Sequence, residues 1–263
     1  MDLTNRVAVI TGGASGIGKA SCRAFARAGA RVAVVDRDAA GAEAVAAEIA
    51  GTGADSIGIA CDVGDESAVV AALADVESRL GPIEVLFNNA GIATGGDPLS
   101  TPLAVWDQQW AVNVMSHVYA IRAVLPAMLE RGEGYILHTA SMAGILTSHG
   151  NATYATTKHA VVGLAEWMSI TYHDRGVRTS LLAPLGVRTP MLDASSAFAT
   201  TVAGPLAEPE DVADLVVDAI REERFLILTD PIAEMWMSRK TEDLERWLRG
   251  MRRVQQHLTG TES

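Results

Sequence analysis

Short apolar runs alternate with longer amphipathic stretches along the whole chain. The runs at 6–11 (RVAVIT), 31–36 (RVAVVD), 56–61 (SIGIAC), 84–89 (EVLFNN), 135–140 (YILHTA), 177–183 (VRTSLLA) and 224–229 (RFLILT) are rich in Val, Ile and Leu. Their apolar positions are continuous and not strictly alternating, as in strands buried on both faces of a parallel sheet. Between them, Ala- and Leu-striped segments predict helices at 16–28, 39–50, 66–80, 102–131, 152–175, 208–222 and 236–257. Seven strand–helix alternations predict an α/β fold, a doubly wound parallel sheet of about seven strands with helices on both faces. Neither a repeat nor a linker divides the chain, so residues 1–263 read as a single domain.

Composition narrows the partners. Hydrophobic residues make up 49% of the chain and charged residues only 20%, which leaves room for a surface covered by other subunits. The formal net charge of -11 repels nucleic acid and anionic membranes. Cys22 and Cys61 have neither Cys-x-x-Cys nor zinc spacing and read as two buried thiols in a reducing compartment. We expect no segment of the about 20 apolar residues that span a membrane, no signal peptide at the N-terminus and a cytoplasmic location.

The first candidate chemistry is the loop ITGGASGIG at 10–18, between the first predicted strand and helix. Gly12, Gly16 and Gly18 lack side chains, so a pyrophosphate can approach the N–H groups at the helix start. Their spacing, Gly-x-x-x-Gly-x-Gly, differs from the commoner Gly-x-Gly-x-x-Gly fingerprint. Placed at the head of a βαβ unit, the loop predicts a Rossmann-type dinucleotide site. Asp36 ends the second strand, where a carboxylate accepts hydrogen bonds from ribose hydroxyls and repels a 2′-phosphate. The expectation from Asp36 is therefore NAD(H) over NADP(H), although Arg37 beside it softens that repulsion.

Further motifs follow in order: CDV at 61–63, NNAG at 88–91, Asn113 in AVNVM, Ser141, and YATTK at 154–158. With TGGASGIG, these resemble the short-chain dehydrogenase/reductase family over roughly residues 6–230. The resemblance implies that Asn113, Ser141, Tyr154 and Lys158 form a catalytic tetrad. It implies cofactor contacts from Ser15 and Ile17 in the glycine loop, from Asp62 and Val63 at adenine, and from Asn89, Ala90 and Gly91 after the fourth strand. Pro184, Val187 and Thr189, in APLGVRTPM, match the segment that holds the nicotinamide carboxamide. The chain departs from the family at Leu185, where Pro-Gly is usual; Leu185 is then expected to narrow the substrate pocket.

The residue types suit proton transfer coupled to hydride transfer. Tyr154 and Lys158 lie four apart, on one helix face. A free phenol titrates near ~10, and a nearby ammonium favours the phenolate. Tyr154 is therefore expected as acid/base, while Ser141 stabilises charge on the substrate oxygen. The resemblance also assigns Lys158 the nicotinamide ribose, and Asn113 a water linking Lys158 to solvent. No metal is required: His117, His138, His149, His159 and His173 show no ligand spacing with carboxylates. His149 is expected as a surface or loop residue.

Residues 188–207 are expected to form a substrate lid of small and apolar residues. Met191, Leu192 and Phe198 would line an apolar pocket with Met142, Leu146 and Leu185, facing a small, fairly apolar secondary alcohol or ketone. The amphipathic C-terminal helix, expected at 236–257, could pack on its own body, cover the pocket or meet a neighbouring subunit; its arginines suggest an anion surface, with a solvated face the favoured reading. The resemblance favours a homotetramer. Two alternatives remain: a 3-oxoacyl thioester reductase, which would want NADPH and basic surface near the pocket, and a nicotinamide-binding regulator without turnover.

Overall fold

The computed structural model describes residues 1–192 and 205–260. Seven parallel strands form one sheet in the order β3-β2-β1-β4-β5-β6-β7. They are β1 (Val7–Thr11), β2 (Arg31–Asp36), β3 (Ser56–Ala60), β4 (Ile83–Asn88), β5 (Gly134–Thr139), β6 (Val177–Ala183) and β7 (Leu226–Leu228). β1 (VAVIT) and β5 (GYILHT) are buried at every position, which explains why neither alternates apolar with charged residues.

Helices cover both faces. α1 (Gly16–Arg27), α2 (Ala39–Ala50) and α8 (Pro209–Glu222) share one core with β1 and β2 around Phe25, Val45 and Val216. α3 (Glu66–Leu80), α5 (Ser116–Arg131) and α7 (Ala152–Tyr172) close the other around Val76, Ile121 and Met168. Side-chain caps fix several starts: Asp38 accepts from the Gly41 N–H, Asp65 from those of Ser67 and Ala68, and Asn151 from that of Tyr154.

Two predicted helices are interrupted. The segment 102–131 is α4 (Leu103–Trp110), a π-helical turn (Ala111–Met115) and then α5. The whole stretch Leu103–Arg131 is long and apolar enough to cross a membrane by length and composition, contrary to expectation. Half of its most apolar window is buried inside the fold, as in a core helix. The single helix expected at 236–257 is α9 (Ile232–Glu242) and α10 (Leu244–Thr259), broken at Asp243. Asp243 is extended and its carboxylate accepts the Arg246 N–H, so a cap replaces helix continuation. One short helix, α6 (Ala143–Leu146), was not anticipated.

The strand order reverses between β1 and β4, the place where the carboxyl ends of a doubly wound sheet open a crevice.

Candidate active site

A cleft of about 1540 Å³ opens at that crevice. Single-ligand pockets run to about 300–1,000 Å³, so it has room for a dinucleotide and a small second ligand. One end is built by backbone. Gly12 (φ +67°) and Gly16 (φ +51°) occupy left-handed conformations that favour glycine. A Cβ on Gly18 would stand 2.0 Å from the Gly12 carbonyl oxygen, so no side chain fits there. Ser15, at the N-cap of α1, makes no side-chain capping bond and lines the cleft with Gly16 and Ile17. That helix start is suited to an anion such as a pyrophosphate.

Asp36 lines the same end, and its carboxylate accepts from the N–H groups of Ala14 and Asp38, both at 3.0 Å. Arg37 is exposed beside it. Asp62 accepts from the Gly64 N–H at 2.9 Å and lines the cleft with Val63. After β4, the Thr11 hydroxyl accepts from the N–H groups of Asn89 and Ala90, and the Asn89 side chain bridges Thr11 to Thr139. Asn89, Ala90 and Gly91 thereby form the floor between β1 and β5. The glycine cradle, the free helix start and the Asp36 carboxylate at the end of β2 fit a dinucleotide.

At the centre stand Ser141, Tyr154 and Lys158. The Asn151 cap holds Tyr154 in the first turn of α7. Lys158, one turn on, is buried; its Nζ donates to the Thr139 carbonyl at 2.7 Å and lies 5.7 Å from the Tyr154 ring centroid. Burial lowers the Lys158 ammonium to about 8. The Tyr154 phenol is pushed above its ordinary value by burial, and the Ser141 hydroxyl pulls it back. Ser141 thus joins Lys158, whose ammonium lies over the ring, as a polar neighbour of Tyr154. Ser141 Oγ also accepts from the Ala143 N–H at 3.1 Å.

Asn113 and Gly18 do not line the cleft. Asn113, fully buried in the π-helical turn, accepts from the Ile92 N–H and donates to the Ile92 carbonyl and the Thr157 hydroxyl. It clamps the loop after β4 to α7 just before Lys158; a π turn in a helix often marks a functional position. Gly91 packs against both, its virtual Cβ 3.3 Å from Asn113 Oδ1 and 3.4 Å from Lys158 Nζ.

The other end is built by side chains. Met142, Leu146 and Leu185 pack with Trp236, Met237 and Trp247 from the C-terminal helices. Pro184, Val187, Thr189, Met191 and Leu192 line the cleft alongside; Phe198 lies outside the described residues. The base of the expected lid is tied by backbone bonds between Gly186, Arg188 and Ala207, and Arg188 pairs with Glu208 at 2.8 Å. His149 also lines the cleft, its Nδ1 2.8 Å from Gln255 Oε1, and so latches α10 to the loop before α7. Sequence reasoning missed Trp236, Trp247 and the cleft-facing Arg239, Arg246 and Arg253; the amphipathic pattern marked the helix but not the surface it meets.

Behind Lys158, His117 on α5 and His138 on β5 are buried and stacked, Nδ1 to Nδ1 at 2.8 Å. Burial lowers both, His138 to about 3, so both rings are neutral. Cys22 and Cys61 are buried free thiols, as expected, and burial raises both.

Comparison with known proteins agrees with this geometry. The short chain dehydrogenase family matches residues 6–199. The 1-deoxy-11-beta-hydroxypentalenate dehydrogenase of Streptomyces exfoliatus is 38% identical over 250 residues, covering 94% of this chain and 90% of that protein. A short chain dehydrogenase/reductase from Burkholderia phymatum, solved in complex with NAD, superposes with a TM-score of 0.85 at 30% identity, covering 93% of this chain and 96% of the other. A 3-ketoacyl-(acyl-carrier-protein) reductase from Brucella melitensis, solved with NADH, gives 0.78 at 30% identity, covering 87% and 98%. The parallel sheet with its crevice at β1 and β4, the glycine cradle and the sequence match all lead to one assignment: the chain belongs to the short-chain dehydrogenase/reductase family of oxidoreductases.

Proposed function

We propose that the protein is an NAD(H)-dependent oxidoreductase that interconverts a small, largely apolar secondary alcohol and its ketone, with Tyr154 as acid/base. The observation that carries this reading is the cluster of Ser141, Tyr154 and buried Lys158 at the middle of one cleft, between a glycine cradle and an apolar wall. The relatives solved with NAD and NADH support the cofactor class. The hydroxypentalenate dehydrogenase supports an alcohol substrate.

Gly12, Ser15, Gly16 and Ile17 would hold the pyrophosphate, Asp36 the adenosine ribose, Asp62 and Val63 the adenine, and Val187 and Thr189 the nicotinamide end. The nicotinamide accepts or supplies the hydride. In oxidation, Tyr154 takes the proton from the substrate hydroxyl; in reduction it returns a proton to the carbonyl oxygen. Ser141 donates to that oxygen as charge develops on it. Lys158, held by the Thr139 carbonyl, orients the ring beneath it and offers donors to the nicotinamide ribose. Asn113 positions Lys158 through Thr157 and Ile92.

The test is steady-state kinetics on a panel of secondary alcohols and ketones with both cofactors. The expected efficiency with NAD(H) exceeds that with NADP(H) by at least about tenfold, a 1.4 kcal/mol difference. Asp36→Ala narrows the gap, since Arg37 then meets a phosphate unopposed. Equal efficiency in the unmodified protein overturns the cofactor assignment, and no turnover with any member of the panel overturns the reaction.

A further inference from the structure

The arginines of the C-terminal helical pair have no part in the proton and hydride steps, yet three of them line the cleft. Arg239 lies on α9, Arg246 and Arg253 on α10. Arg246 and Arg253 are two helical turns apart and so share one face. Arg23, Arg27, Arg178, Arg188, Arg221 and Arg224 each pair with a carboxylate elsewhere on the molecule. Arg239, Arg246 and Arg253 pair with none among the described residues. Two carboxylates share their rim. Glu242 accepts from the Ser238 hydroxyl at 3.0 Å, and Asp243 accepts the Arg246 backbone N–H at 2.9 Å. Neither reaches a guanidinium. Three cations over two anions, on a chain of formal net charge -11, is a local reversal of sign.

Beneath this rim the wall is apolar. Trp236 and Trp247 pack with Met142, Leu146 and Leu185, and the Trp247 indole N–H is buried without a hydrogen-bond partner. An apolar wall under a row of free guanidinia matches an amphiphilic anion, because the skeleton gains from burial while the charge keeps partial access to water. We infer that the substrate's apolar skeleton carries one anionic group of the carboxylate kind, held by Arg246 and Arg253 with Arg239 beside them. The inference rests on the oxidoreductase reading above and narrows its substrate class. Arg239, Arg246 and Arg253 are exposed at the rim, as a solvated face requires, and the inference adds to them the role of an anion surface.

The cofactor's own phosphates are not the anion in question. α9 and α10 dock on the Tyr154 side, through Lys240 on the Ile145 carbonyl and Gln255 on His149. The glycine cradle is flanked instead by Asn89, Ala90 and Thr189.

The test uses a graded series of methyl-ketone carboxylic acids, short to long, each beside its neutral methyl ester, reduced with NADH by the intact protein. The acids are expected to exceed their esters in kcat/KM, most at one chain length, with the advantage shrinking as salt rises. Arg246→Gln and Arg253→Gln each lower the acid-to-ester ratio by about tenfold, the size of one charge-assisted hydrogen bond. Arg252→Gln, on a side chain of α10 that does not line the cleft, leaves the ratio in place. Titration of cleft tryptophan fluorescence with a keto acid reads the same loss as weaker binding, while NADH affinity holds. Turnover of esters and acids alike, with a ratio indifferent to Arg246 and Arg253, overturns the anion site and leaves the oxidoreductase reading standing. Failure to turn over either series while other ketones react overturns the inference as well, and turnover of no ketone at all overturns the reading beneath it. A marked preference for a 3-oxoacyl group presented on an acidic carrier protein overturns it in favour of a macromolecular anion. Loss of NADH affinity equal to the loss of keto acid affinity assigns the arginines to the cofactor and also overturns it.

Discussion

The two ends of the cleft are made of different material. The end at the carboxyl tips of β1 and β2 is backbone: glycines in left-handed conformations, a helix start, and carboxylates that brace their own loops through Ala14, Asp38 and Gly64. The opposite end is side chain, assembled from α6, residues 184–192, α9 and α10. A backbone site has little freedom, because a single Cβ at Gly18 collides with the Gly12 carbonyl. A side-chain site can change its lining without disturbing the fold. One end therefore suits a constant ligand and the other a ligand particular to this chain.

Tyr154 stands where the ends meet, and it offers the largest expected effect. Tyr154→Phe keeps the ring and the Asn151 cap, which uses only the backbone N–H. Turnover should fall by about 10²–10⁴, the usual worth of a positioned acid/base. NADH affinity, read by fluorescence titration, should stay, because the backbone end is untouched. A loss under about tenfold would remove Tyr154 from the proton step; a large loss of NADH affinity would show that the two ends are not separable.

The same contrast explains what the sequence disclosed. β2, α2, α3 and β6 begin and end where the apolar pattern placed them, and the other strands moved by one or two residues. The backbone end was legible because its determinants are contiguous: the glycines lie within seven positions, and Asn89, Ala90 and Gly91 are consecutive. The centre was legible because Tyr154 and Lys158 share one helical turn. The substrate end was only partly legible. Met142, Leu146, Leu185 and Met191 do line the cleft, but nothing local tells that Trp247 and Arg246, far along the sequence, share that lining. The break at Asp243 is what sets α10 apart from α9, and its signal was a capping aspartate inside an otherwise helical pattern. The surroundings of Tyr154 need more than spacing: four residues give proximity along a helix, whereas burial and the Ser141 hydroxyl, just after β5, also shift the phenol.

Leu185 sharpens the comparison from the substrate side. It stands where the family usually has glycine, lines the cleft, and packs in the cluster of Met142, Leu146 and the C-terminal tryptophans. Its backbone N–H donates to the Thr229 hydroxyl at 3.1 Å, a contact that glycine keeps. Leu185→Gly should open the pocket and shift relative kcat/KM between bulky and small ketones by about tenfold, the order of one or two methylenes' worth of contact. Cofactor affinity should move little. Flat selectivity across the panel would place Leu185 outside the pocket.

The smallest effect concerns the buried histidine pair behind Lys158. His117 and His138 are stacked and neutral in the fold, with His138 lowered to about 3 by burial. An unfolded chain protonates histidine near 6.5, so between pH 6.5 and 3 the unfolded state binds more protons at this site. The pair's contribution is present above pH 6.5 and is lost as the pH falls toward 3. For His138 alone, acidification from pH 7 to pH 5 removes about 2 kcal/mol, or about 4–8 °C of Tm in a chain of this size. His138→Asn removes the titrating ring and keeps an amide partner for the His117 Nδ1. Its Tm should therefore decline less over that interval, measured by thermal unfolding with and without NADH. The difference in pH slope should be the same in both conditions, since the pair lies under the sheet's tips and outside the cleft lining. If the wild type and His138→Asn lose Tm in parallel on acidification, the buried pair is not what limits acid stability. If NADH erases the difference, the histidine pair is coupled to the backbone end after all.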